Sequence, residues 1–346
     1  MILRTIHVGL GGRGQAMLDV IARDPKFKPV ALVDANSTAA KVAHYKVFEA
    51  GGPKNVPVFS GLAGPLSQLE AEAIIIATPM RTHAEICRMA ITVNMHVLCD
   101  SPLVTDLADA RQLVEEADSG WIKLCAMQDH RYTGVQQTVS YVLNNPKHPH
   151  YPGHVRLVDC VAHRHHPEQG TQDYPNAAIW ETAGQHIDAL ASWLGPVKRV
   201  SARAYAAPWT HWVHDPNLSA FIEYETGPLC NYVLVNDAAL NHDRVTLQGE
   251  RGALVITDHA KVTYYGRPVQ GAELPPPEDV ELMDTPSPQQ AMADEFFRYI
   301  VEDVEPGTSG RNTLAPADTR LMPARQRACC GRPCDSTSTT PDSALP

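Results

Sequence analysis

Two groups of residues in this 346-residue chain have the types and spacing to do chemistry. The first is the turn Gly9-Leu10-Gly11-Gly12-Arg13-Gly14, which follows the apolar run Ile6-His7-Val8. Gly9 permits a sharp turn, Gly11 lets bare backbone approach an anion, and Gly14 lets the next helix pack close to the strand with its N-terminus aimed at that anion. Gly12 and Arg13 belong to the same turn. Asp34 stands at the end of a second strand-like run, Pro29-Val30-Ala31-Leu32-Val33, where a carboxylate can accept hydrogen bonds from ribose hydroxyls. That context favours a site for a dinucleotide over a glycine-rich turn with no ligand. The second group is Thr182 and His186, which helical spacing places on one face so that both project toward one point.

The elements around these residues fall into two regimes. Strands are expected at Thr5–Val8, Val30–Val33, Val56–Phe59, Ala73–Ala77, His96–Cys99 and Lys123–Met127, with helices at Arg13–Ala22, Thr38–Ala50, His83–Val93 and Leu107–Ala117. Such alternation predicts a doubly wound parallel sheet over residues 1–125, with ligands at the carboxyl ends of its strands. The turns Ala77-Thr78-Pro79, with His83 beyond, and Asp100-Ser101-Pro102 sit at such ends. A helix at Thr133–Leu143 leads into runs of strands: Val155–Val161, Val197–Ala204, Ala220–Tyr224, Leu229–Val235, Val245–Leu247, Ala253–Ile256 and Val262–Tyr265. With helices at Glu181–Trp193 and Gln289–Val301, this predicts an α+β unit over 126–314 built on a mostly antiparallel open sheet. The fold class is therefore α/β, and the proline- and Ser/Thr-rich stretch 315–346 is expected to be disordered.

Composition excludes several functions. A net charge of −10 with no Lys/Arg-rich run argues against a nucleic-acid groove binder. The longest apolar runs fall far short of the ~20 residues of a membrane span, and nothing marks the N-terminus for export, so a cytoplasmic setting is expected. Cys87, Cys99 and Cys125 fall on helix or strand positions and read as buried thiols, while Cys329, Cys330 and Cys334 match no familiar zinc spacing.

With these pieces placed, residues 1 to about 314 resemble the glucose-fructose oxidoreductase, inositol dehydrogenase and rhizopine-catabolism (Gfo/Idh/MocA) family of NAD(P)-dependent oxidoreductases. The matching segments are Val8–Gly14, Ile74–Pro79 with His83, His96-Val97-Leu98-Cys99 with Pro102-Leu103, and Glu181–Gly195, which reads ETAGQHIDALASWLG. The resemblance implies that Gly9, Gly11, Gly12, Arg13, Gly14, Asp34, Ala77, Thr78, Pro79, His83, Asp100 and Ser101 hold the cofactor. It also implies that His186 takes a substrate hydroxyl proton while Thr182 helps to hold that hydroxyl. A satisfied histidine on a packed helix is the alternative for His186. Asp188, further round the helix, reads as structural, capping or bonding backbone. The family's Glu-Lys-Pro strand end is here Asp100-Ser101-Pro102, so Ser101 stands where a lysine would contact the reacting oxygen. Loss of such a donor typically costs ~2.7–4 kcal/mol of transition-state stabilisation.

Arg131 or His130, after the sixth strand, is a candidate for that vacant role; orienting a loop or pairing with a carboxylate is the alternative. His163-Arg164-His165-His166 alternate across a strand and should not converge on a metal, so His163 is taken as a polar strand end near the substrate and no metal is expected. Trp180, Trp209 and Trp212 could line a sugar-sized pocket or pack in the core. Asp34, with no adjacent arginine in Ala35-Asn36-Ser37, favours NAD over NADP. The resemblance implies hydride transfer between NAD and a secondary hydroxyl or ketone of a cyclitol or sugar, in a homo-oligomer formed through the outer face of the second sheet. An NAD-retaining glycosidase and a catalytically silent NAD-binding protein are the alternatives.

Overall fold

A computed structural model describes residues 1–52, 55–165, 179–268, 270 and 272–313. Short apolar runs alternating with amphipathic segments give β1 (Leu3–Val8), α1 (Gly12–Arg23), β2 (Phe27–Val33), α2 (Ser37–Glu49), β3 (Val58–Phe59), α3 (Ala63–Gln68), β4 (Ala73–Ile76), α4 (His83–Thr92), β5 (His96–Asp100), α5 (Leu107–Ser119) and β6 (Leu124–Met127). The six strands form a parallel sheet in the order β3-β2-β1-β4-β5-β6, the doubly wound arrangement whose ligand crevice lies where the order reverses, between β1 and β4. Ala73, Ile74, Ile75 and Ile76 of β4 are all buried, as expected of a strand covered on both faces. Asn36 and Asp106 start α2 and α5 by accepting hydrogen bonds from exposed first-turn N–H groups.

The chain continues through α6 (Gly134–Leu143), β7 (Val155–His165), α7 (Gly184–Leu194), β8 (Val197–Tyr205), β9 (Asn217–Tyr224), β10 (Leu229–Val235), β11 (Asp237–Gly249), β12 (Gly252–Thr257), β13 (Lys261–Gly266), β14 (Glu278–Asp279) and α8 (Pro288–Glu302). Eight strands form the second sheet in the order β14-β13-β12-β11-β7-β10-β9-β8. Among the described residues of this sheet only the β7–β10 pairing is parallel. Strands β7 and β11 run beyond their apolar centres because they pair with each other through polar residues as far as Asp237 and His165.

Val139 and Val142 of α6 and Ile187, Leu190 and Leu194 of α7 pack on one face of this sheet against Cys160, Tyr232 and Leu234. The alternation of β10 therefore serves its own helices. On other strand positions Leu157, Phe221 and Leu229 remain exposed. Helix α8 returns to the first sheet, where Met292, Phe296 and Tyr299 join Met17, Ile21 and Phe27. The described Cys87, Cys99, Cys125, Cys160 and Cys230 are buried free thiols. His166, the cysteines at 329, 330 and 334 and the tail from 315 lie outside the described residues.

Candidate active site at the ends of the first sheet

The glycine turn joins β1 to α1 with little space to spare on one side and open space on the other. Gly9 has φ +84°, and a Cβ there would lie 2.5 Å from the backbone of Ala77; one on Gly14 would lie 1.9 Å from the carbonyl oxygen of Gly9. Beside Gly11 and Gly12 nothing stands within 4 Å. Gly11 caps α1 without any side-chain hydrogen bond, so the helix presents bare N–H groups to that space. Asp34 fixes the turn, accepting hydrogen bonds from the N–H of Leu10 (2.6 Å) and of Asn36 (2.7 Å). His83 links the turns after β4 and β5, its ring nitrogens lying 2.8 Å from the Thr78 carbonyl and 2.9 Å from that of Pro102. This cradle has the open backbone and the free helix N-terminus that a dinucleotide's pyrophosphate would require.

Next to it lies a cavity of about 240 Å³, bounded by Arg13, Thr78, Met80, Asp100, Ser101, Trp180 and Gln185 among others. Arg13 reaches in from the first turn of α1, with Nη2 2.7 Å from Asp100 Oδ1 and 3.7 Å from Asp129 Oδ1. Burial pushes the Asp100 carboxyl above the usual carboxylate range, although Arg13, His83 and the N–H of Ser101 pull the other way.

Thr182 and His186 each bond a residue at or just past β10 of the second sheet. The chain enters α7 through a π-turn, Ile179–Ala183, so regular helical spacing does not decide which side chain meets the cavity. Thr182 Oγ1 donates to Asn236 Oδ1 at 3.4 Å, and His186 Nδ1 shares a hydrogen bond with the Tyr232 hydroxyl at 3.0 Å. The cavity wall on this side is made by Trp180, Gly184 and Gln185. Burial, with His130 and His259 close by, pushes the His186 imidazole down to about 3.

Behind it stands a polar group that sequence reasoning did not assemble. The His259 ring stacks on His186 at 5.6 Å and meets the His130 ring edge-on at 4.7 Å. Asp243 lies 2.7 Å from His259 Nε2 and 2.5 Å from Arg164 Nη2, and against the effect of burial these two hold its carboxyl well below the usual range. His186, Asp243 and His259 bring ligand-type atoms within 4.8 Å of one another. Arg164 already supplies the positive charge at that carboxylate, which disfavours a second cation there.

Other expected site residues go elsewhere. Arg131 is bound by Asp188, through Nε at 2.5 Å and Nη2 at 2.9 Å, and borders a separate cavity with Ser192, Pro196 and Asn312. Asp188 thus holds a guanidinium, and Arg131 borders this other cavity rather than the one lined by Asp100. His163 sits on β7 between Val235 and His242. Trp180 lines the cavity, Trp212 is buried and Trp209 is 70% exposed. Gln185 and Met80 were missed; neither carries a sequence signal beyond its neighbours.

Residues 3–123 match the model of an oxidoreductase family with an NAD-binding Rossmann fold, GFO_IDH_MocA. Over those residues the chain is similar to the Gfo/Idh/MocA oxidoreductases. An uncharacterized protein, y4oX, of Sinorhizobium fredii is 21% identical over 77% of this chain and 76% of its own length. An inositol 2-dehydrogenase of Leifsonia xyli is 27% identical over 46% of this chain and 51% of its own. Among solved structures, a UDP-N-acetylglucosamine 3-dehydrogenase of Acidithiobacillus ferrooxidans superposes with a TM-score of 0.74 at 18% identity, covering 93% of this chain and 96% of that one. Among the described residues no helix is long and apolar enough to cross a membrane.

Proposed function

We propose that the protein transfers hydride between NAD and a secondary hydroxyl or ketone of a cyclitol or sugar. The carrying observation is the junction of an open glycine cradle with a cavity of about 240 Å³ that holds one guanidinium, one buried carboxylate and a tryptophan. When bound, NAD supplies a hydride acceptor, and NADH a donor. Gly11, Gly12 and the N-terminus of α1 would hold the pyrophosphate, and Asp34 the adenosine ribose. Thr78, Met80 and His83 shape the wall on the β4 side, and Asp100 with Ser101 shapes it on the β5 side. Trp180 offers an apolar face suited to a sugar ring, with Gln185 beside it as a hydrogen-bonding group. The family resemblance assigns the substrate proton to His186, with Thr182 nearby. Names of relatives acting on inositol and on a nucleotide sugar support the substrate class. We also propose that copies of the chain associate through the face carrying Leu157, Phe221 and Leu229.

A panel of polyols and sugars with NAD, followed at the nicotinamide absorbance, tests this reading. Substrate-dependent NADH formation is expected. Cleavage of an aryl glycoside without net NADH would point to the glycosidase instead, and tight NAD binding with no turnover on any substrate to a silent binder.

A further inference from the structure

Oxidation of a secondary hydroxyl releases a proton as well as a hydride, and two side chains near the cavity can compete for it. His186 is 6% exposed, has its Nδ1 engaged by Tyr232, and is held near 3 by burial and by His130 and His259. Asp100 lines the cavity itself. Its contacts with the Ser101 N–H (2.9 Å) and with Arg13 (2.7 Å) both fall on one carboxylate oxygen, Oδ1.

We propose that Asp100 is the catalytic residue that takes the substrate proton, with Arg13 as the positioning residue that governs its charge. The proposal rests on the hydride-transfer reading and names the base within it. Geometry carries it first. The one guanidinium at the cavity is shared between Asp100 and Asp129, two anions on one cation, so the group is one negative charge in excess. A proton on Asp100 leaves Arg13 and Asp129 as a balanced pair, which a half-buried site favours. The groups acting on Asp100 are Arg13 from α1, His83 from α4 and the Ser101 N–H, with Asp129 after β6 on the far side of Arg13. Burial outweighs those that favour its ionised form, so this carboxylate holds a proton more readily than a free aspartate does.

The step balances. The substrate C–H bond breaks with its electron pair leaving as hydride to NAD⁺, and the O–H bond breaks with its proton passing to the Asp100 carboxylate. The carbonyl forms, giving ketone, NADH and a neutral carboxylic acid; reduction runs the same steps backwards. Because the oxygen surrenders its proton directly to a carboxylate beside it, no alkoxide charge builds up for a lysine to stabilise. Ser101 is compatible with such a site.

The test compares Asp100→Asn, Asp100→Glu and His186→Asn. Calorimetric titration with NADH, in two buffers of different ionisation enthalpy, reads protons taken up on binding without any turnover. In the wild type, Arg13 would turn from Asp100 toward a bound pyrophosphate, so proton uptake is expected; Asp100→Asn should bind NADH with no uptake, and His186→Asn should retain it. In turnover, Asp100→Asn should lose about 10²- to 10⁴-fold in kcat together with the acid limb of the pH profile. Asp100→Glu should keep a limb at a shifted pH, and this variant decides the matter if Asp100→Asn does not fold. Unchanged proton uptake or undiminished turnover in Asp100→Asn overturns the assignment, as does a limb left unmoved in Asp100→Glu. Absence of any NAD(H) binding by the wild type is a different failure, that of the hydride-transfer reading itself.

Discussion

Arg131, just past the last strand of the first sheet, and Asp188, on the helix beneath the second, hold each other through two parallel hydrogen bonds of 2.5 and 2.9 Å. The carboxylate is 2% exposed and the guanidinium 19%, so neither can turn to water if its partner is lost. Arg131→Ala should therefore cost ~3–5 kcal/mol in urea unfolding, the usual cost of removing one member of a buried ion pair. Replacing both, as Arg131→Met with Asp188→Leu, should recover most of that loss. A neutral result for Arg131→Ala would mean that the pair contributes nothing to holding the two sheets together.

The glycine turn separates folding from binding. Gly14→Ala drives a Cβ to 1.9 Å from the Gly9 carbonyl oxygen and should both lower stability and abolish NAD binding. Gly11→Ala meets nothing within 4 Å, and its φ of −70° suits any residue. It should melt like the wild type yet bind NAD at least about tenfold more weakly, ~1.4 kcal/mol, because the methyl group enters the anion cradle. Equal affinities for wild type and Gly11→Ala would place the pyrophosphate elsewhere.

Stability should fall in weak acid through buried imidazoles. Burial holds His7 at about 3; burial with His259 holds His130 at about 4; and burial with His130 holds His186 at about 3. In the unfolded chain each titrates near ~6.5. Between these limits the unfolded state binds more protons, so the stability present above pH ~6.5 is lost progressively as pH falls toward 4 and then 3, approaching ~1.4 kcal/mol per pH unit for each histidine. Urea unfolding at a series of pH values checks this, and the slope should be shallower in His186→Gln.

The proposed preference for NAD over NADP rests on Asp34. Its carboxylate oxygens are held by two backbone N–H groups and aim a fixed negative charge at the ribose position, where a 2′-phosphate would be repelled. Fluorescence titration should give NAD at least tenfold tighter binding than NADP. Asp34→Ala should narrow the gap and loosen the turn at Leu10.

Much of this organisation is legible in sequence because burial on both faces leaves continuous apolar runs such as Ala73–Ile76, and because Gly9 and Gly14 answer steric demands only glycine meets. The antiparallel sheet is legible from strands that follow one another without helices. The face of α7 turned to the cavity is not, since the π-turn before Gly184 breaks the period from which a face is inferred. Nor does any local pattern announce that Arg13 reaches Asp100, or that Asp243 meets Arg164 and His259, because these pairs are made by topology across long separations. The destination of Arg131 was open for the same reason.

Helix α8 completes the core of the first sheet from the far end of the chain. During synthesis, Met17, Ile21 and Phe27 must wait for more than 250 residues before their cover emerges from the ribosome. A product cut short before Pro288 would carry that apolar surface uncovered, a ready target for chaperones and proteases.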